Sequence, residues 1–207
     1  SACVGTAGDS ITISGVPVGS QANRVLVVTV GAEEDDGDCD LNLASATATY
    51  GGVLMSKATT RASDTTTWRS CNGIFYMLNP PTGTADVVVS FPATTGTPID
   101  NRHAAALVMF GAAQTAPEAF STAGGDPGTD PTSTAITPLT TGGMIVDVMT
   151  RGNTGSFVTT QAGQTERFDL SCTSSSSATS TKPVTAGGQS TSLGWDHSNP
   201  NRYAHSL

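Results

Sequence analysis

The sequence predicts an all-β protein, an antiparallel β-sandwich of jelly-roll type with about a dozen short strands and no substantial helix. Three observations carry this expectation. No window keeps apolar residues at i, i+3, i+4, i+7 for three turns without Gly, Pro or a Thr/Ser cluster. Short apolar runs recur along the chain with turn residues between them. Charged residues make up only 13% and aromatics 5%, so Thr, Ser, Gly and Asn must cover the surface, and β-branched Thr suits strands. A length of 207 residues fits one domain, 1–207, with 1–9 as an N-terminal extension. No internal repeat or domain boundary is apparent in the residues.

The elements follow in order. Ile11–Ser14 is a short strand that Val16-Pro17-Val18-Gly19 ends. Arg24–Val30 is almost wholly apolar and reads as a central strand covered on both faces. Ala46–Tyr50 and Val53–Ala58 flank Gly51-Gly52, a two-residue hairpin signal. Gly73–Leu78 and Thr84–Phe91 read as a strand pair joined by a turn, because Pro80 and Pro81 cannot donate ladder hydrogen bonds. Arg102–Ala113 is the best helical candidate, but its short length and flanking Gly favour a buried strand, His103–Phe110. Ser133–Leu139 and Met144–Thr150 flank Thr141-Gly142-Gly143, a second hairpin signal. Weaker strands are expected at Phe157–Thr160, Glu166–Leu170, Thr185–Leu193 and Arg202–Leu207. Two stretches read as long irregular loops, Gln114–Pro131 and the Ser-rich Ser171–Thr181, the latter flexible or O-glycosylated.

Tyr50-Gly51-Gly52, the proline-rich turn Tyr76 to Gly83 and the strand Gly143 to Val148 stand in an order that resembles a jelly-roll-type domain recurring in secreted and surface-anchored bacterial proteins. The resemblance covers roughly residues 10–207 and rests on turns and core strands. It implies a fold and transfers no catalytic residue. The acidic stretch and the cysteines depart from that pattern, and the last strand is shorter than the family's.

Four cysteines, Cys3, Cys39, Cys71 and Cys172, include no C-x-x-C pair. An even count in a Lys-poor, Thr/Ser-rich β protein points to two disulfides and an oxidising compartment; free buried thiols are the alternative. Of three connectivities, Cys39–Cys71 is expected, because both residues lie in loops at one end of the strands. That leaves Cys3–Cys172 to staple the N-terminus. Ser1-Ala2-Cys3 fits a mature end left by signal cleavage, so the expected location is extracellular or the cell surface. A cytosolic start, as in a phage structural or decoration protein, is the alternative. The net charge of −8 and the absence of a basic patch argue against nucleic acid, and no apolar run is long enough to span a bilayer.

Chemistry has few candidates. Six of the 17 acidic residues fall within Glu33–Asp40. Glu33, Asp35, Asp36, Asp38 and Asp40 are candidate Ca²⁺ ligands, since hard oxygen donors around a Gly suit that ion. A solvated acidic loop that protects a sheet edge is the plainer reading. Trp68 and Trp195 are candidate carbohydrate-stacking rings, with core packing as the alternative for each. Tyr203 and His205 share one face of a strand, with Arg202 beside them, but a polysaccharide lyase needs more basic groups than this chain offers. Gly8-Asp9-Ser10 lacks the preceding strand and the helices of a GDS esterase. His103 is expected to cap or pair within its strand. The expectation is therefore a non-enzymatic structural or adhesive protein that requires no cofactor. A second copy of the chain is its partner, joined by β-strand addition. A carbohydrate-binding module that takes polysaccharide is the runner-up.

Overall fold

The structure, a computed structural model, describes residues 1–6, 8–34, 39–65, 67–91, 99–126, 130 and 132–207, with 40–42 described by their backbone alone. The N-terminal half contains β1 (Ala2–Val4), β2 (Ser10–Val18), β3 (Val25–Glu34), a short helix α1 (Cys39–Ser45), β4 (Thr47–Tyr50), β5 (Val53–Leu54), β6 (Ser56–Ala62), β7 (Arg69–Leu78), β8 (Gly83–Ser90) and β9 (Asn101–Met109). An inner sheet runs β1-β9-β3-β7-β6 and an outer sheet β2-β8-β4-β5. The C-terminal half contains β10 (Thr122–Gly125), β11 (Thr132–Ile136), β12 (Met144–Gly152), β13 (Phe157–Thr159), β14 (Thr165–Cys172), β15 (Ser175–Pro183), β16 (Thr191–His197) and β17 (Tyr203–Ser206). Its inner sheet runs β10-β17-β12-β15-β14 and its outer sheet β11-β16-β13. Every strand pair is antiparallel. The expected all-β sandwich is present, with four stacked sheets where two were anticipated.

Strand β3 shows why the layers stack. Side chains alternate across a strand. Leu26, Val28, Val30 and Ala32 enter the main apolar core against the outer sheet. Val25 and Val27 face the other way and cluster with Val148 of β12. Thr29, on that same face, places its Oγ1 2.7 Å from the Thr179 Oγ1 of β15. The run is buried on both faces, as its composition predicts.

The two halves repeat one strand order. Replacing β1, β9, β3, β7 and β6 by β10, β17, β12, β15 and β14 converts one inner sheet into the other, and β2-β8-β4 becomes β11-β16-β13. No such repeat is apparent in the residues, because the matched positions differ in chemistry. Aligning the starts of β3 and β12 matches Val28 with Asp147, and the strand registers then match Phe75 with Ser180 and Ala104 with His205. The inner sheets meet through like faces. Thr29 reaches Thr179, and their matched residues Val148 and Ile74 share one cluster.

Several connections differ from the expected hairpins. Gly51 and Gly52, both at positive φ, do turn β4 into β5, but Met55 then leads into the inner sheet as β6. β7 and β8 lie in different sheets, so the Asn79–Gly83 turn crosses between layers. Arg24 fixes that corner by donating to the carbonyls of Pro80 and Gln21 and to Asn79 Oδ1. β11 and β12 are likewise in different sheets. β2 continues through Pro17 because it is an edge strand, where proline's missing N–H costs little, and a register shift falls at Gly15, which has φ 65°. Ser171–Thr181 is not a loop: it is the β14–β15 hairpin, and Ser175–Thr181 is buried. Small hydroxyl side chains let the two inner sheets approach closely. At Gly31, an added Cβ would lie 2.5 Å from Thr150 Oγ1 and 2.7 Å from Ser177 Oγ.

Candidate functional site

The two disulfides are Cys39–Cys71 and Cys3–Cys172, as expected from the strand layout. The first is fully buried beneath α1, whereas Cys3 and Cys172 are half-buried. His103 pairs directly with Cys3 across β9 and β1. Its Nδ1 is 3.5 Å from Cys3 Sγ, and its Nε2 is 2.8 Å from Ser175 Oγ. Burial holds the imidazole down at about 4.

Of the candidate calcium ligands, Glu33 is fully buried and both its oxygens are engaged. Arg202 pairs with Oε1, while Asn101 Nδ2 and Ser174 Oγ donate to Oε2 at 3.1 and 2.9 Å. Burial pushes this carboxyl up, against the downward pull of Arg202 and Ser174. Asp35, Asp36 and Asp38 lie outside the described residues, and Asp40 falls in the first turn of α1.

Trp195 is fully buried and has no face free for a sugar. Its Nε1 donates to Asp147 Oδ2 at 2.7 Å. Asp147 also accepts from the Ser180 N–H and hydroxyl at Oδ1, and His205 Nε2 lies 2.9 Å from Oδ2. Gln164 extends the network by donating to Ser180 Oγ. His205 Nδ1 is buried and unpartnered among the described residues. Tyr203 and His205 do share a face, but His205 has no solvent access. This network occupies the positions that Val28, Phe75 and Ala104 fill with apolar core in the other half, and it leaves no local signal in the residues, since Asp147 and His205 are 58 residues apart.

Trp68 is half-exposed, with Arg202 stacked 5.7 Å from its ring centre. Next to it, Thr60, Arg61, Ser63, Asp64 and Arg69 line an open cleft of about 400 Å³.

Part of β12 is paired on one side only, although the strand lies inside its sheet. β3 pairs with β9 at nine positions, Val25 to Glu33, whereas β12 pairs with β17 at four, Val148 to Arg151. Among the described residues, Met144–Asp147 therefore has a strand neighbour on the β15 side only. Met144 at the start of this stretch is 48% exposed, and Phe120 and Leu139, on the segments before β10 and β12, are 61% and 67% exposed. The segments that carry them are tied together, because Glu118 accepts from the Leu139 and Thr140 N–H groups and Ser121 pairs with Leu207.

The two disulfides fit an oxidising environment. Among the described residues no helix is long and apolar enough to cross a membrane. Comparison with protein-family models, with curated proteins and with solved structures finds no match to this chain.

Proposed function

We propose that this protein is a non-enzymatic extracellular structural or adhesive subunit that self-assembles by β-strand addition. The observation that carries the reading is the half-paired stretch Met144–Asp147 of β12 with the exposed Met144 at its start. An unpaired strand edge is a template for another strand, and an exposed apolar rim adds side-chain pockets to the main-chain hydrogen bonds. In the N-terminal half the matching edge of β3 is covered by Ala106–Met109 of β9, which shows the kind of segment such an edge takes.

The test is electron microscopy and size-exclusion chromatography of the full chain and of Met144→Lys. Met144 is exposed, so the variant keeps its fold, and a charge at this edge opposes strand addition. Regular fibres from the parent chain that the variant fails to form are the expected result. A parent chain that stays monodisperse and monomeric at all concentrations defeats the reading.

A carbohydrate-binding role is the second reading, favoured by the half-exposed Trp68 beside the polar cleft. Loss of polysaccharide binding on Trp68→Ala, in a chain that forms no fibres, would put this reading first.

A further inference from the structure

We infer that the Cys3–Cys172 pair is a redox-gated metal site: once reduced, the two thiolates and His103 bind one borderline-soft divalent cation of the Zn²⁺ class. This inference stands independently of the assembly reading.

Three donors from distant parts of the chain converge here. The sulfurs of Cys3 and Cys172 and a ring nitrogen of His103 all lie within 4.8 Å of one another. Strand pairing sets their positions. Cys3 is the register partner of His103, and Cys172 is the register partner of Ser175. Ser175 closes the loop, with its hydroxyl 2.8 Å from His103 Nε2. When Nε2–H donates to that hydroxyl, the Nδ1 lone pair faces the sulfurs. Metal-bound histidines commonly use this arrangement, with one nitrogen on the metal and the other ring N–H held by a protein acceptor.

The donor set selects the cation. Two thiolates and one imidazole suit zinc, whereas Ca²⁺ and Mg²⁺ require oxygen. Two thiolate charges also offset the charge of the ion in a part-buried site.

Access distinguishes this pair from the other disulfide. Cys3 and Cys172 are half-buried, while Cys39 and Cys71 are both 0% exposed. A dithiol reductant therefore reaches Cys3–Cys172 first. In that exchange the reductant gives two electrons and two protons. The Cys3–Cys172 bond breaks to two thiols, and the reductant closes to its own disulfide. Binding of Zn²⁺ then replaces the two thiol protons, which pass to solvent.

The test uses the full chain, reduced with a dithiol and freed of it under anaerobic conditions. Iodoacetamide alkylation is followed by peptide mass mapping with and without one equivalent of Zn²⁺, and intact-mass measurement gives the stoichiometry. The expected result is one Zn²⁺ per chain and at least tenfold slower alkylation of Cys3 and Cys172, with Cys39 and Cys71 unaffected; that factor corresponds to about 1.4 kcal/mol of protection. His103→Gln should lose most of this protection, and the oxidised chain should bind no Zn²⁺. Circular dichroism covers the case in which reduction unfolds the chain: recovery of the strand signal on adding Zn²⁺ supports the site, and no recovery overturns it. Equal alkylation rates with and without Zn²⁺, or undiminished protection in His103→Gln, also overturn it.

Discussion

Asp147 is the residue on which the C-terminal core turns. Its two oxygens receive the Ser180 N–H and hydroxyl, the Trp195 indole N–H and His205, all from buried neighbours. Asp147→Ala leaves those donors without an acceptor in a dry site. The expected cost is about 3–5 kcal/mol, read as a lower urea midpoint at unchanged slope. Asp147→Asn keeps an acceptor oxygen and should cost less. His103 governs an acid response in the oxidised chain. The unfolded chain takes up the imidazole proton below the ordinary 6.5, whereas the native chain does so only at about 4. In that window the unfolded state binds more protons, so stability falls as pH drops through it, by at most about 3 kcal/mol. His197, also lowered by burial, acts in the same direction. Glu33 opposes them, because its raised native value favours the folded chain on acidification. Denaturation midpoints measured between about pH 7 and pH 4 should slope less in His103→Gln than in the parent.

Among the elements, the contact between the inner sheets tests the close-approach argument. Gly31→Ala places a methyl against Thr150 and Ser177, and the overpacking should cost about 1–3 kcal/mol. Adding Ser177→Gly makes room, so the double variant should recover part of the loss in a double-mutant cycle. Full additivity of the two losses would show that the sheets do not meet as tightly as Gly31 implies. The same contact explains what the sequence conceals. Arg24–Val30 was legible as a doubly covered strand because its apolar run is continuous. Ser171–Thr181 read as a loop because small hydroxyl residues carry no hydrophobic period, although they serve the sheet contact well. Turn residues at Gly51-Gly52, Asn79–Gly83 and Thr141–Gly143 marked where the chain reverses. They carry no information on whether the next strand stays in its sheet or crosses to another layer. The Asp147 network was invisible for a similar reason: its members are brought together by strand register and not by local spacing.

At the scale of the molecule, the N-terminal and C-terminal halves are joined by a segment in which Ala113–Glu118 is exposed. A protease site inserted at Gln114–Pro117 of the full chain should therefore be cut without separating the halves. Because Cys3–Cys172 also links the halves, the nick is made in a chain carrying Cys3→Ser and Cys172→Ser, and size-exclusion chromatography should show one particle under native conditions and two fragments in denaturant. Dissociation of that nicked, disulfide-free variant under native conditions would show that the inner-sheet contact is too weak to hold the layers. That contact is made between like faces, with β3 set against its counterpart β12 and β7 and β9 against each other's counterparts. It has the form of a two-fold dimer closed inside a single chain. A self-complementary face used up in this way is no longer available between molecules. A fibre of these chains propagated through one repeated contact would join unlike surfaces head to tail, which would give it a polarity and two chemically distinct ends.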